Sequence, residues 1–318
     1  MGLSAWWRLT RPFTLLPPAL GVLSGSLIAL GAENGAHWWR AGLTHALPIT
    51  LGCLSGAVLN AASNVLNQAQ EVELDRHNKP ERPLVRGDIS IRAAQLGGVV
   101  LYAVAVLVAL AVPLLGGTWA FPACVTLAAL ATVAYSVQPC YLKGRGFWAN
   151  VTIAVPRGLL LKVAGWACVA SVWGTWEPWW IGMVFFLFLC TAASTKDLAD
   201  EAGDRLAGAR TWVVAAGRER VLRAMQIGFV IPWPLIPIGT LITQDGHPVL
   251  AIAPLPAAVF AIVLMAYGYW IAHQMRHESS GASIDANHRS WTHMYLLMML
   301  SQFGLAALYL FARASAPA

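Results

Sequence analysis

Nine apolar runs constrain this chain more than anything else in it. They cover residues 13–31, 47–66, 93–115, 119–137, 149–173, 180–195, 222–241, 249–273 and 291–311. Most reach the ~20 residues a helix needs to cross the hydrocarbon of a bilayer. Only 11% of the 318 residues are charged, against about 25% in an ordinary soluble domain, so little sequence is left for a second, soluble unit. The expected fold is all-α: residues 1–318 form a single polytopic membrane bundle of nine transmembrane helices. The sixth run is short and is expected to continue as helix into the polar sequence after it. Pro17 and Pro18 in the first run, and Pro232, Pro234 and Pro237 in the seventh, are expected as kinks or cavity walls, because neighbouring helices can satisfy the freed carbonyls. The five cysteines lie singly in or near apolar runs without a CxxC spacing, which suits small buried hydrophobes better than a metal site or a disulfide. The opening MGLSAWWRLTRPF has no signal-peptide cleavage pattern, so the first run is expected to stay in the protein.

Basic residues orient the bundle. With the N-terminus inside, seventeen of the 21 Lys and Arg fall in inner loops, Arg40 and Arg313 fall outside, and Arg157 and Lys162 lie within the fifth run. That bias predicts a cytoplasmic N-terminus and an external C-terminus, and it accounts for the net charge of +6 as a topology signal rather than a nucleic-acid surface. Trp38, Trp39, Trp176, Trp179 and Trp180 fall where an outer aromatic belt belongs.

Two inner stretches also carry acids, which the topology signal does not need. Residues 64–92 contain NVLNQAQEVELDRHNKPERPLVRG, with Gln68, Glu71 and Asp75 spaced by three and four. Residues 195–220 contain KDLADEAGDRLAGART, with Asp197, Asp200 and Asp204 spaced the same way. On a helix each triplet shares one face. Both end an even-numbered run and open a basic loop, as an old duplication into two related parts would leave them. Acidic faces at the mouths of membrane helices are costly unless a cation sits between them. Mg2+ takes carboxylate and phosphate oxygens, so two such ions holding a diphosphate at the end of a greasy tunnel fit the pattern. Neutralising a diphosphate lets its C1–O bond ionise, and an apolar body would shield the resulting allylic cation.

The remaining polar residues have weaker assignments. Asn64 and Asn67 fit as neutral partners of metal or phosphate, and Arg82, Lys143, Arg145 and Arg210 as phosphate donors in the same layer. Arg157 lies near the inner end of its run, within reach of a diphosphate. Lys162 lies deeper, facing an acidic acceptor or a structural carboxylate. Tyr135 stabilises a cation or anchors the interface. His293 and Tyr295 serve as acid–base groups or as interfacial side chains. Glu73 and Glu201 are expected to be solvated, and Asp88 to cap a helix starting near Ile89.

These motifs resemble the UbiA superfamily of intramembrane prenyltransferases. The first family motif stands here as Asn67-Gln68, Glu71 and Asp75, followed by NKPERPLVRG. The second stands nearly intact as Lys196, Asp197, Asp200, Gly203 and Asp204. Tyr135-Ser136, Lys143 and Arg11-Pro12 also look like the family's. The resemblance implies nine helices around a central cavity that opens to the membrane of a bacterium or archaeon. It implies Mg2+ held by Asn67, Gln68, Glu71, Asp75, Asp197, Asp200 and Asp204, with Glu71, Asp75, Asp200 and Asp204 catalytic. Asn64, Arg82, Lys143, Arg145, Arg157, Lys196 and Arg210 would bind the diphosphate, and Tyr135 and Lys162 would line the acceptor or cation pocket. The implied reaction moves a prenyl group from a polyprenyl diphosphate to a lipophilic, aromatic acceptor. Gln68 and Glu71 depart from the more usual Asp. The short sequence between Asp75 and Arg82-Pro83 favours chlorophyll, homogentisate or archaeal-lipid acceptors. An intramembrane terpene cyclase would use the same acids. A transporter fits less well, because both acid rows lie at one surface rather than at the midplane.

Overall fold

A computed structural model describes residues 3–206, 208–278 and 289–312. The chain is helical almost throughout. A short α1 (Leu3–Thr10) and a single turn (Pro12–Leu15) lead into α2 (Leu16–Asn34). Pro17 and Pro18 sit in the first turn of α2, where a missing N–H costs nothing, so they start the helix rather than kink it. The small α3 (Trp38–Thr44) turns the chain into α4 (Ala46–Gln70), and α5 (Val72–Asn78), α6 (Ile91–Leu114) and α7 (Ala120–Ser136) follow. Ser90, not Asp88, caps α6, its hydroxyl accepting from the Ala93 N–H at 3.2 Å. Asp88 instead pairs with Arg8 at 3.1 Å.

The fifth run is interrupted. It comprises α8 (Phe147–Ala154), a π-helical stretch (Val155–Leu160) and α9 (Leu161–Ala167). Pro156 offers no N–H, and the Leu161 N–H reaches its carbonyl five residues back. Such single-turn bulges often sit at functional positions, and this one carries Arg157. Helix α10 (Glu177–Ala192) runs into α11 (Ser194–Leu206) with Ala193 still in helical conformation, so the sixth run does continue into the acidic stretch. After α12 (Trp212–Ala216) the seventh run breaks. Pro232 and Pro234 separate α13 (Arg218–Gly228) from α14 (Leu235–Gly239), with Pro237 inside α14, a true interruption where only kinks were expected. A two-residue hairpin, β1 (Thr243–Gln244) with β2 (His247–Pro248), turns on Asp245-Gly246, both with positive φ. Finally α15 (Pro254–Glu278) and α16 (Arg289–Phe311) complete the chain.

Among the described residues six helices are long and apolar enough to cross a membrane, and α7 is a shorter apolar helix. The fifth and seventh runs are the two interrupted ones. α6 leaves Leu96, Val100, Leu107 and Leu114 exposed along one side, as a lipid-facing helix must. The core lies around α2, which packs on α4, α9 and α16. There Gly25 meets Gly165 closely: a Cβ on Gly165 would stand 2.8 Å from the Gly25 Cα, the small-residue contact by which membrane helices approach. Cys124, Cys168 and Cys190 are buried as expected, Cys53 is half-buried, and Cys140 is exposed in the loop after α7. Arg313 lies outside the described residues.

Candidate active site

The first acid row is not carried by one continuous helix. α4 stops at Gln70, Glu71 takes φ −111° and ψ 18°, and α5 restarts at Val72. The break turns Glu71 inward. Its carboxylate accepts from the Asn67 amide at 2.9 Å and pairs with Lys143, both partners of the ion pair being almost fully buried. Ser136, the last residue of α7, donates to the Asn67 side-chain oxygen at 3.3 Å. One turn along α5, Asp75 pairs with Arg82. Burial pushes the Asp75 carboxyl above its ordinary pKa, and Arg82 opposes this without cancelling it. At Lys143 burial works downward, but the Glu71 charge and hydrogen bond outweigh it, so the ammonium is held above its ordinary value.

The second row, on α11, faces the first. Lys79, just past α5, reaches Asp200 at 3.2 Å, and Lys196 lies 3.8 Å from the same oxygen. Glu71 and Lys143 lie near enough to act on Asp204 electrostatically, and Glu71, Asp197 and Arg157 act on Tyr135. The fold thus brings together Asn67, Glu71, Asp75, Arg82, Tyr135, Lys143, Arg157, Lys196, Asp197, Asp200 and Asp204. No three described His, Cys, Asp or Glu side chains converge tightly enough to hold an ion alone. The carboxylates instead stand as two rows tied to cations. That suits Mg2+, which usually takes one or two carboxylates together with substrate phosphate rather than an all-protein cage.

Beneath this mouth lies an apolar cavity between α2, α4, α7, the π-helical stretch and α9, with about 540 Å³ of free space including its opening. Arg157, Asn60, Ser63 and Thr132 form its polar end; Val22, Phe121, Cys124 and Ala164 form the apolar remainder. At 1.5 Å per residue, α7 carries this lining roughly 16 Å from Thr132 to Phe121.

Other expected site residues lie elsewhere. Arg145 is exposed and touches the Pro139 carbonyl at 3.4 Å, and Arg210 is exposed in its loop. Lys162 is buried among Ser24 (2.6 Å) and the Gln302 side-chain oxygen (2.7 Å), its ammonium 4.4 Å from the centre of the Phe185 ring. Its partners are neither an acceptor pocket nor a carboxylate. Gln68 and Asn64 direct their amide nitrogens to backbone and hydroxyl oxygens of residues 9–14. His293 is hydrogen-bonded to Tyr267 at 2.7 Å. Glu201 is paired with Arg205 and Arg218, not solvated; Glu73 is exposed beside Arg76. Sequence reasoning passed over Lys79, which counted only as loop charge, and Asn60, whose spacing with Asn64 and Gln68 was the available signal.

A helical membrane bundle with an apolar cavity under a mouth of paired charges defines an intramembrane enzyme. The chain belongs to the UbiA prenyltransferase family, a model of which matches residues 15–292, and it is a prenyltransferase. It is 30% identical to a digeranylgeranylglyceryl phosphate synthase of Methanopyrus kandleri, over 84% of this chain and 91% of that one. It is 28% identical to a homogentisate phytyltransferase of Synechocystis, over 71% of this chain and 72% of that one. A UbiA homologue of Archaeoglobus fulgidus, solved with DMAPP and Mg2+, shares the fold with a TM-score of 0.70 at 22% identity, covering 95% of this chain and 99% of that one.

Proposed function

We propose that the protein transfers a prenyl group from a polyprenyl diphosphate to a lipophilic acceptor within the membrane, in an Mg2+-dependent reaction. One observation carries this reading: the two acid rows stand at one mouth, tied by Lys79 and Asp200, above a cavity shaped for an apolar tail. Asn67, Glu71, Asp75, Asp200 and Asp204 would hold the metal, with Asp197 in the same row. When bound, Mg2+ supplies Lewis acidity to the leaving diphosphate oxygens.

The chain's own groups do the rest. Arg82, Lys143, Lys196 and Arg157 orient the diphosphate by charge-assisted hydrogen bonds, and all but Arg157 exchange a carboxylate partner for phosphate oxygen. The cavity excludes water from the allylic cation. Tyr135, on which the charges of Asp197, Glu71 and Arg157 act, would present its ring to that cation. In this reading the interrupted fifth and seventh runs also span the bilayer, giving nine crossings with the N-terminus and both acid rows cytoplasmic and the C-terminus outside.

The similar proteins put forward a glyceryl phosphate and homogentisate as acceptor classes to try. The test is to incubate membranes with labelled prenyl diphosphates, Mg2+ and these acceptors. Transfer is expected with the wild type and lost in Asp75→Ala and Asp204→Ala. Transfer that survives both substitutions overturns the reading, and a product formed without any acceptor makes the protein a cyclase.

A further inference from the structure

Three amides on α4 share one face, a turn apart, and all donate to the same short segment. Asn60 donates to the Thr14 carbonyl at 2.8 Å and to its hydroxyl at 3.2 Å. Asn64 donates to the Thr10 carbonyl at 2.9 Å and to the Thr14 hydroxyl at 2.8 Å. Gln68 donates to the Leu9 carbonyl at 2.7 Å. All three side chains are buried. Leu9 and Thr10 are the last residues of α1, whose carbonyls lack helical partners. Buried donors and orphan carbonyls thus satisfy each other, and neither side can let go without leaving a polar group unpaired.

The ladder surrounds Arg11. That residue has φ 55° and ψ 67°, a left-handed conformation that a side chain with a Cβ holds only where its surroundings over-determine it. The Thr14 hydroxyl, which accepts from two rungs, donates to the Arg11 carbonyl at 2.8 Å. The top rung also reaches the cavity: the Asn60 side-chain amide oxygen accepts from the Arg157 guanidinium at 3.0 Å. Arg11 lies close enough to Arg82 and Arg157 that burial and their charges together hold it below its ordinary pKa. Three guanidinium groups thus act on one another, and Asp75, whose charge also reaches Arg11, is already bonded to Arg82. Such a group is stabilised by a multiply charged anion.

We propose that Asn60, Asn64 and Gln68 are positioning residues that clamp residues 9–14 across the cavity mouth, so that Arg11 joins Arg82 and Arg157 around the donor's diphosphate. This rests on the reading of the mouth as a diphosphate site. Gln68 then serves by its N–H donors and not as a metal ligand.

The experiment measures binding of inorganic pyrophosphate with Mg2+ to the purified full chain by calorimetry, alongside hydrogen exchange of residues 9–14. Gln68→Glu keeps length and oxygen but loses the donors. It is expected to weaken pyrophosphate by about tenfold, as loss of an orienting partner does, and to speed exchange of the segment. Thr14→Val behaves likewise, and Thr14→Ser restores binding. Arg11→Gln leaves the ladder intact; it is expected to weaken pyrophosphate with exchange unchanged. Binding in Gln68→Glu as tight as wild type or tighter, which a metal ligand predicts, overturns the inference, as does unchanged binding in Arg11→Gln. A wild-type chain that binds no pyrophosphate sinks the diphosphate reading itself, whereas normal binding unmoved by these substitutions sinks the clamp alone.

Discussion

Lys79 and Asp200 lie 121 residues apart in the chain and form an ion pair at 3.2 Å. The contact ties the end of α5 to the middle of α11 and makes two distant acidic motifs one mouth. Both side chains keep some contact with solvent, so the pair contributes little to stability, about 1 kcal/mol or less.

Asp200→Asn should therefore separate function from folding. It is expected to reduce kcat/KM for the donor by about 100-fold or more, equivalent to about 2.7 kcal/mol at the transition state, while the unfolding free energy changes by about 1 kcal/mol or less. Steady-state transfer assays and thermal unfolding in detergent check the two halves of this expectation.

Removal of divalent metal should stop transfer reversibly. A chelator is expected to abolish product formation, and Mg2+ added back to restore it, because carboxylates spread in two rows leave phosphate and metal to complete each other's coordination. Activity that persists in chelator would contradict this.

The cavity should measure the donor. Phe121 is fully buried at the apolar end, and Ala128 lines the shaft nearer the mouth. Phe121→Leu is expected to favour longer prenyl diphosphates, and Ala128→Phe to favour shorter ones. Competition assays with a series of chain lengths should show shifts in opposite directions.

Lys162 should matter to stability and not to chemistry. Lys162→Ala removes two charge-assisted hydrogen bonds and leaves the Gln302 oxygen with only the Ser24 hydroxyl as a donor; it is expected to destabilise the bundle by about 2–3 kcal/mol. Lys162→Met, which fills the volume, should cost less. Both should keep the kcat of the wild type per folded molecule, measured after normalising to the folded fraction.

Several corrections share one cause. Periodicity placed Gln68, Glu71 and Asp75 on one helical face, but the helix breaks at Glu71 and sends Gln68 and Glu71 to different partners. Arg145 and Arg210 share the charged layer in sequence yet are exposed, while Lys79 is paired across the mouth. Loop charge records which side of a membrane a segment occupies, and it carries no record of where a long side chain points.

The sequence alone determined the environment: long apolar runs with few charges require a helical membrane bundle, because lipid leaves the backbone no other way to satisfy itself at that length. Repeated acids at helix mouths and their flanking residues marked the chemistry. Tertiary structure decided which donors face which acceptors, how α5 and α11 close on each other, and that Asn60, Asn64 and Gln68 hold the N-terminal segment. Those outcomes depend on contacts between residues far apart in the chain, and their geometry follows from packing and from satisfying every buried polar group at once.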